Sequence, residues 1–295
     1  MSGKIVKPSI LPGFMELLPE EQLIFNQMLD TIRNNYEKFG FLPIDTPVIE
    51  RSEVLLAKGG GETEQQVYRF ERGNTDMALR FDLTVPLARY VAQYYSDLNF
   101  PFRRYHIGKV YRGERNQRGR YREFYQCDID IIGNMELDII NDAEIPALIY
   151  STFKDLNIGD FTIKINNRKL LKGLLESLKI KDGTFVLRAI DKLEKIGVSQ
   201  VKKELEDLGL LDEAIEQILG FINIKGTNKE IIKQLENLEV ANKDFKLGLE
   251  EIRTVTKYIS LFGVPEKYYK IDLTTVRGLD YYTGTVYETI LDDYP

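Results

Sequence analysis

The sequence predicts an α+β fold in which strand-forming segments stand on both sides of a helical stretch. Three observations carry this prediction. Tyr105–Arg112 and Tyr121–Ile132 have strand character and flank a polar, Arg-rich connection, which describes an antiparallel hairpin with a long loop. From Lys169 to Phe262 the chain turns Leu-, Ile-, Lys- and Glu-rich, with few aromatics and with Gly or Asn between the candidate helices. Strand patterns then resume at Tyr268–Leu273 and Thr285–Leu291. Segregated runs of strands and helices are the mark of α+β architecture.

The elements follow in chain order. Pro19–Phe39 repeats Phe25, Met28, Leu29, Ile32, Tyr36 and Phe39 at three- and four-residue spacing, an amphipathic helix that Gly40 ends. Phe41–Glu50 alternates apolar and polar residues but holds Pro43 and Pro47, which places it at a sheet edge or an interface. Lys58–Thr63 contains three consecutive glycines and reads as a flexible turn or a lid. Val67–Phe70 and Met77–Phe81 are two short strands about Gly73-Asn74. Asp82 and Thr84 precede a helix with Pro86 in its first turn and Val85, Leu87, Ala88, Val91 and Tyr94 on its apolar face. After the hairpin come a helix at Leu137–Leu156 and a strand at Phe161–Ile165. Six helices are then expected at 170–178, 184–195, 199–208, 212–221, 229–238 and 243–261.

Composition bounds the function. The chain has 295 residues, 43% hydrophobic and 29% charged, as a folded globular protein should. A formal net charge of −6 gives no general nucleic-acid binder, so any such contact must come from local patches. The expected helical stretch is also nearly balanced, with 15 Lys and Arg against 16 Asp and Glu over residues 170–260. Cys127 is the only cysteine, which excludes an intramolecular disulfide and fits a reducing cytoplasm; no apolar run is long enough to suggest a membrane span.

The hairpin loop is where chemistry is expected. Arg112, Arg115, Arg118, Arg120 and Arg122 fall within eleven residues, offset only by Glu114 and Glu123. The fork on Arg112 or Arg120 matches phosphate or carboxylate oxygens two at a time; an exposed basic hairpin is the plainer alternative. By the two-residue period of a strand, Gln126, Asp128 and Asp130 share a face. Cys127 points the other way as a small packed residue, and His106 is expected to pack or to pair on a sheet face. Near the end of the chain, RGLDYYTG over Arg277–Gly284 reads as a bend that presents side chains.

Together, PGFMELLPEE, GFLPIDTPVIE, LAKGGGETE, RFDLTVP, RGERNQRGRYREFYQCDIDIIG and TVRGLDYYTGTVYE, in that order, resemble the histidyl-tRNA synthetases, a class II aminoacyl-tRNA synthetase family. The resemblance implies a mainly antiparallel sheet flanked by helices and a homodimer built on the first helix and the Pro47 strand. It also implies a division into a first catalytic part at 1–168, a helical insertion at 169–262 that touches tRNA, and a second, incomplete catalytic part at 263–295. The implied reaction joins histidine to tRNA(His) through ATP, with Mg²⁺ on the outer phosphates, and no direct metal ligand is obvious in the sequence.

Residue by residue, the resemblance assigns Arg112 and Arg277 to the α-phosphate from opposite sides as the catalytic cations. It assigns Glu114 and Phe124 to the adenine and Arg120 to the outer phosphates. Asp82 and Thr84 would hold the α-amino group of histidine, Arg112 and Gln126 its carboxylate, and Asp130 and Tyr282 its imidazole. Asp82 and Asp130 stand where bacterial relatives often carry Glu. The family continues beyond residue 295 with a third class motif and an anticodon-binding domain, so weak or absent charging is expected of these residues alone. Two alternative readings are a non-catalytic RNA-binding or dimerisation module made from a degraded synthetase and a histidine-sensing regulatory subunit of ATP phosphoribosyltransferase. Such a relative tends to lose its ATP contacts, whereas Arg112, Glu114, Arg120, Phe124 and Arg277 are all present here.

Overall fold

The computed structural model describes residues 6–57, 62–115, 117, 119–180, 183–276 and 282–293, apart from the side chains of Glu62, Thr63 and Glu194. The chain forms two compact units, Met1–Leu137 and Asp138–Pro295. Compactness therefore divides the chain at a place the sequence did not mark. The three-part division at 168 and 262 concerns which stretch is an insertion, and it stands as a proposal.

In the first unit, helix α1 (Pro19–Lys38) opens on Pro19, and the Leu18 amide donates to Glu21 Oε2 at 2.9 Å. A proline at the first helical position loses nothing, because its amide would have no intrahelical partner. Gly40, with φ of 77°, takes the left-handed turn that ends the helix. Strand β1 (Leu42–Pro43) runs parallel to β5 (Phe102–Tyr111), which pairs antiparallel with β6 (Glu123–Ile132). β1 is the edge of this sheet, where Pro43 need donate nothing to a neighbour. A second sheet has the order β2-β4-β3, from β2 (Ile49–Arg51), β3 (Arg69–Arg72) and β4 (Thr75–Leu79). Arg72 pairs with Thr75 across the two-residue turn, and Gly73 there has φ of 62°. Short helices α2 (Ser52–Leu55) and α3 (Glu62–Gln66) and the longer α4 (Thr84–Gln93) complete the unit. The Gly triplet lies outside the described residues. Of the apolar face expected for α4, Leu87 is buried but Ala88 is exposed; the buried Leu83 just before the helix extends the contact instead.

α1 packs on one face of the β5–β6 pair. Tyr36 Oη donates to the Cys127 carbonyl at 2.8 Å, Tyr105 Oη to Glu37 at 2.8 Å and Arg103 to the Phe39 carbonyl at 2.8 Å. The Phe25 and Tyr125 rings lie 5.3 Å apart. These strand residues are odd-numbered, so the even-numbered ones face the other side.

In the second unit, β7 (Phe161–Asn167) is the middle strand between β8 (Tyr269–Ile271), parallel to it, and β9 (Thr285–Leu291), antiparallel. Its Phe161, Ile163 and Ile165 are buried, as a central strand requires. The helices are α5 (Ile140–Leu156), α6 (Arg168–Ser177), α7 (Thr184–Asp191), α8 (Leu193–Asp207), α9 (Asp212–Ile222), α10 (Asn228–Asn237) and α11 (Lys243–Leu261). Two helices were expected at 184–195 and 199–208. The first instead stops at Asp191 and the next begins at Leu193, broken internally where Gly197 takes φ 75° and ψ 164°. A residue at that conformation cannot continue a helix, and glycine reaches it without a Cβ clash. Among the described residues four of the six strand pairings are antiparallel and two are parallel, the mixed, mainly antiparallel arrangement that was expected.

Candidate functional site

The site is built on the even face of the β5–β6 pair. The register sets Arg104 opposite Asp130, His106 opposite Asp128 and Gly108 opposite Gln126. Residues directly opposite in an antiparallel pair point to the same side, so Arg104, His106, Gln126, Asp128 and Asp130 share one surface. Just beyond the strand end, the Arg112 amide donates to the Arg122 carbonyl, so Arg112 continues that surface.

Arg112 is held rather than loose. Its Nε donates to the Phe81 carbonyl at 3.2 Å, and its guanidinium lies 4.5 Å from the Phe81 ring centre and 5.1 Å from that of Phe124. A planar cation between two aromatic faces is attracted to both and restricted in rotation. Arg112, Glu114, Gly119, Arg120, Tyr121 and Phe124 line one pocket of about 290 Å³. Glu114 and Arg120 face each other there at 3.7 Å. The loop is pinned by Arg122, whose Nε donates to the Glu114 carbonyl at 3.0 Å and whose amide donates to the Gly13 carbonyl at 2.7 Å. Gly13 has φ of 88°, and a Cβ on it would come within 2.9 Å of Arg122 Cγ. Of the arginines grouped in the loop, Arg122 is thus structural. Arg115 is exposed, and Arg118 lies outside the described residues.

Along the same face, Asp128 and Asp130 are half-buried carboxylates. Burial pushes Asp130 up to about 6, against the pull of Arg104 and with the help of neighbouring Asp128. Asp128 is also raised, by burial first, with Asp82 adding to the shift and Arg104 and Arg112 opposing it. Gln126 Oε1 is buried with no hydrogen-bond partner among the described residues, as is His106 Nδ1. Buried polar atoms are nearly always paired, so orphans gathered on one face mark a surface shaped for something else. Asp82 Oδ1 accepts from the Val85 amide at 2.9 Å at the start of α4, and Thr84 is exposed there.

His106 pairs as a sheet-face residue, not as an acid or base. Its Nε2 lies 2.9 Å from Asp45 Oδ1, and burial followed by the nearby Arg80 charge lowers it to about 4, so it is neutral at pH 7. Arg80, 3% exposed, donates to the Thr46 carbonyl at 2.6 Å and to the Lys109 carbonyl at 2.7 Å. It ties the Pro47 segment to β5.

Four of the five residues expected at ATP, namely Arg112, Glu114, Arg120 and Phe124, therefore meet in one pocket, and Gln126 and Asp130 continue its face. Arg277 lies outside the described residues. Tyr282 belongs to the second unit. Arg104 carried no role in the sequence reading, although counting the register back from Gln126 would have placed it opposite Asp130. Among the described residues no group of three or more His, Cys, Asp or Glu is placed to hold a metal ion. None of the described helices is long and apolar enough to cross a membrane.

Comparison with known proteins supplies the family. A family model described as histidyl-tRNA synthetase matches residues 13–295. A histidine–tRNA ligase from Clostridium tetani is 68% identical over 295 residues, covering 100% of this chain and 67% of its own length. One from Finegoldia magna is 52% identical over 290 residues, covering 98% of this chain and 67% of its own. The crystal structure of histidyl-tRNA synthetase from Nostoc sp. superposes with a TM-score of 0.90 at 44% identity, over 97% of this chain and 66% of that one. A Bacillus halodurans structure described as an ATP phosphoribosyltransferase regulatory subunit/histidyl-tRNA synthetase superposes at 0.85 but is 23% identical, over 98% of this chain and 74% of that one; it speaks for the fold alone. The chain spans about two thirds of the length of the curated relatives it matches. On the length of the family match and the identity to these relatives, the chain belongs to the histidyl-tRNA synthetase family.

Proposed function

We propose that this chain carries the histidine-activating part of an ATP-dependent histidine–tRNA ligase. The observation that carries the reading is one continuous face of one strand pair. It bears an aromatic-lined, Arg-bearing pocket at one end and a half-buried carboxylate pair at the other. In the first step a histidine carboxylate oxygen attacks the α-phosphorus of ATP, a new P–O bond forms, and the bond to pyrophosphate breaks. In the second a hydroxyl at the tRNA 3′ end attacks the acyl carbon and AMP leaves.

Two anions must meet while charge builds on the α-phosphate, so a cation fixed in advance is worth more than a mobile one. Arg112 supplies it, held by Phe81 and Phe124, and Gln126 meets the substrate carboxylate. The family resemblance assigns Arg277 to the same phosphate, Glu114 and Phe124 take the adenine, and Arg120 takes the outer phosphates. Asp82 and Thr84 hold the amino group, and Asp130 with Tyr282 selects the imidazole. A site built to hydrogen-bond both ring nitrogens rejects analogues that lack them, because its own buried groups would then stay unpaired. No protein cluster is at hand for Mg²⁺ among the described residues, so the ion is assigned to the ATP phosphates and no step is routed through it.

The partners proposed are histidine, ATP, tRNA(His), read in part by the helical stretch 169–262, and a second copy of the chain. The dimer has support in α1, whose Leu23 and Ile24 are 63% and 60% exposed although α1 already covers β5–β6 with its other side. The working compartment proposed is the cytoplasm.

Calorimetry with histidine, ATP and histidinol, singly and in pairs, tests the reading. Binding of both histidine and ATP is expected, with Arg112→Ala weakening ATP by about tenfold or more. Histidine binding without ATP binding would favour the histidine sensor, and binding of neither would overturn the proposal.

A further inference from the structure

We propose that Arg104 is a positioning residue for imidazole recognition, a buried cation that fixes the Asp130 carboxylate so that one oxygen is tied down and the other faces the substrate ring. The inference rests on the assignment of Asp130 to the imidazole. Arg104 is fully buried, the largest side chain that is so among the described residues, and it stands directly opposite Asp130 in the β5–β6 register. Its Nη2 forms a close ion pair with Asp130 Oδ2, but none of Nε, Nη1 and Nη2 makes a well-aligned hydrogen bond among the described residues.

Stability does not explain this arrangement. Burying a guanidinium against one carboxylate, with none of its nitrogens in a well-aligned hydrogen bond, costs more desolvation than the pair returns, and an apolar side chain would serve the core better. Recognition does explain it. An acceptor that must discriminate one ring N–H needs a fixed orientation and a negative charge. Asp130 stands beside another carboxylate, Asp128, in a place where burial favours the protonated form, and Arg104 is the first of the influences acting the other way. A neutral Asp130 would turn from acceptor to donor on one oxygen and lose the preference for the ring N–H. Arg104 also faces Asp128 across the sheet, so its charge serves both carboxylates of this surface.

The test is a comparison of wild type, Arg104→Met, Arg104→Lys, Asp130→Asn and the double variant Arg104→Met/Asp130→Asn, titrated with histidine and separately with ATP. Thermal denaturation serves as the check of folding. Arg104→Met is expected to weaken histidine about tenfold or more while ATP affinity stays within about twofold. Arg104→Lys is expected to recover part of the loss, since it keeps the charge without the fork, and it carries the test if the methionine variant does not fold. In the Asp130→Asn background the Arg104→Met change is expected to cost histidine affinity little more. Unchanged histidine affinity, equal losses for histidine and ATP, or a full-sized effect in that background would each overturn the positioning role. A wild-type chain that binds no histidine would instead overturn the reading of the site, and this inference with it.

Discussion

His106 and Asp130 sit on one sheet face and titrate in opposite senses. The folded chain holds His106 neutral down to about 4, whereas an unfolded histidine takes up its proton near 6.5. The stability that His106 contributes is therefore present above pH 6.5 and is lost as pH falls toward 4, about 3 kcal/mol in all at roughly 1.4 kcal/mol per unit. Asp130 keeps its proton up to about 6 in the fold but only to about 3.8 unfolded. Its ionisation costs the fold stability above pH 6, and that stability returns as pH falls through 6. Between pH 6 and 4 the two partly cancel. His106→Gln removes one side of the balance, so the stability gap between wild type and variant should shrink by about 2 kcal/mol from pH 7 to pH 4.5, as urea unfolding at the two pH values would show. A gap that stays constant would mean that His106 is not held neutral. This pairing was half legible in the sequence. The period of two gives the face, but the burial that moves both groups arises only in the fold, which also brings Arg80 and Asp45 from distant segments to the His106 ring.

The hairpin loop and the α6–α11 contact show what elements add. Arg122 spends its Nε on the Glu114 carbonyl and its backbone on Gly13. Arg122→Ala should leave the fold intact while loosening Glu114, and ATP affinity should fall about tenfold, read by calorimetry. Unaltered ATP binding would separate the loop anchor from the pocket. In the second unit Gly173 on α6 is buried against the start of α11, where a Cβ would lie 2.7 Å from Asn242 Oδ1 and 2.8 Å from Phe245 Cα. Asn242 also caps α11 by accepting from the Asp244 and Phe245 amides. Backbone and a cap cannot yield as a side-chain tip can, so Gly173→Ala should cost about 1–3 kcal/mol, despite the usual gain of alanine over glycine in a helix, and thermal denaturation should show it. The sequence places a helix over Gly173, but it offers no sign that another helix crosses there.

For the whole molecule, the first helix is apolar on more sides than its own unit can cover. Tyr36 is buried against β5–β6, yet Leu18, Leu23 and Ile24 are 71%, 63% and 60% exposed, and Ile49 on β2 is 47% exposed. With a second copy as the proposed partner, Leu23→Asp combined with Ile24→Asp should turn a dimer into a monomer at micromolar concentration, measured by sedimentation velocity. A wild-type chain that is itself monomeric would remove the dimer from the proposal. The sequence shows the stripe of Phe25, Met28, Leu29, Ile32, Tyr36 and Phe39, but not that Leu23 and Ile24 form a second apolar patch that the unit leaves exposed.

The sequence by itself determined the α+β class, the strands of the hairpin, the longer helices apart from the α7–α8 boundary, and the family, because periodicity, proline and glycine act locally and six motifs fall in order; the short α2 and α3 it did not show. Tertiary structure alone decided the rest. It showed that Arg122 anchors the loop while Arg112 and Arg120 line the pocket, and it added a break after Asp191 to the gap expected around Gly197. It also set Arg104 against Asp130 in the dark of the sheet face. Charge and spacing are properties of the chain, but desolvation and pairing arise only when segments far apart in sequence exclude water from the same place.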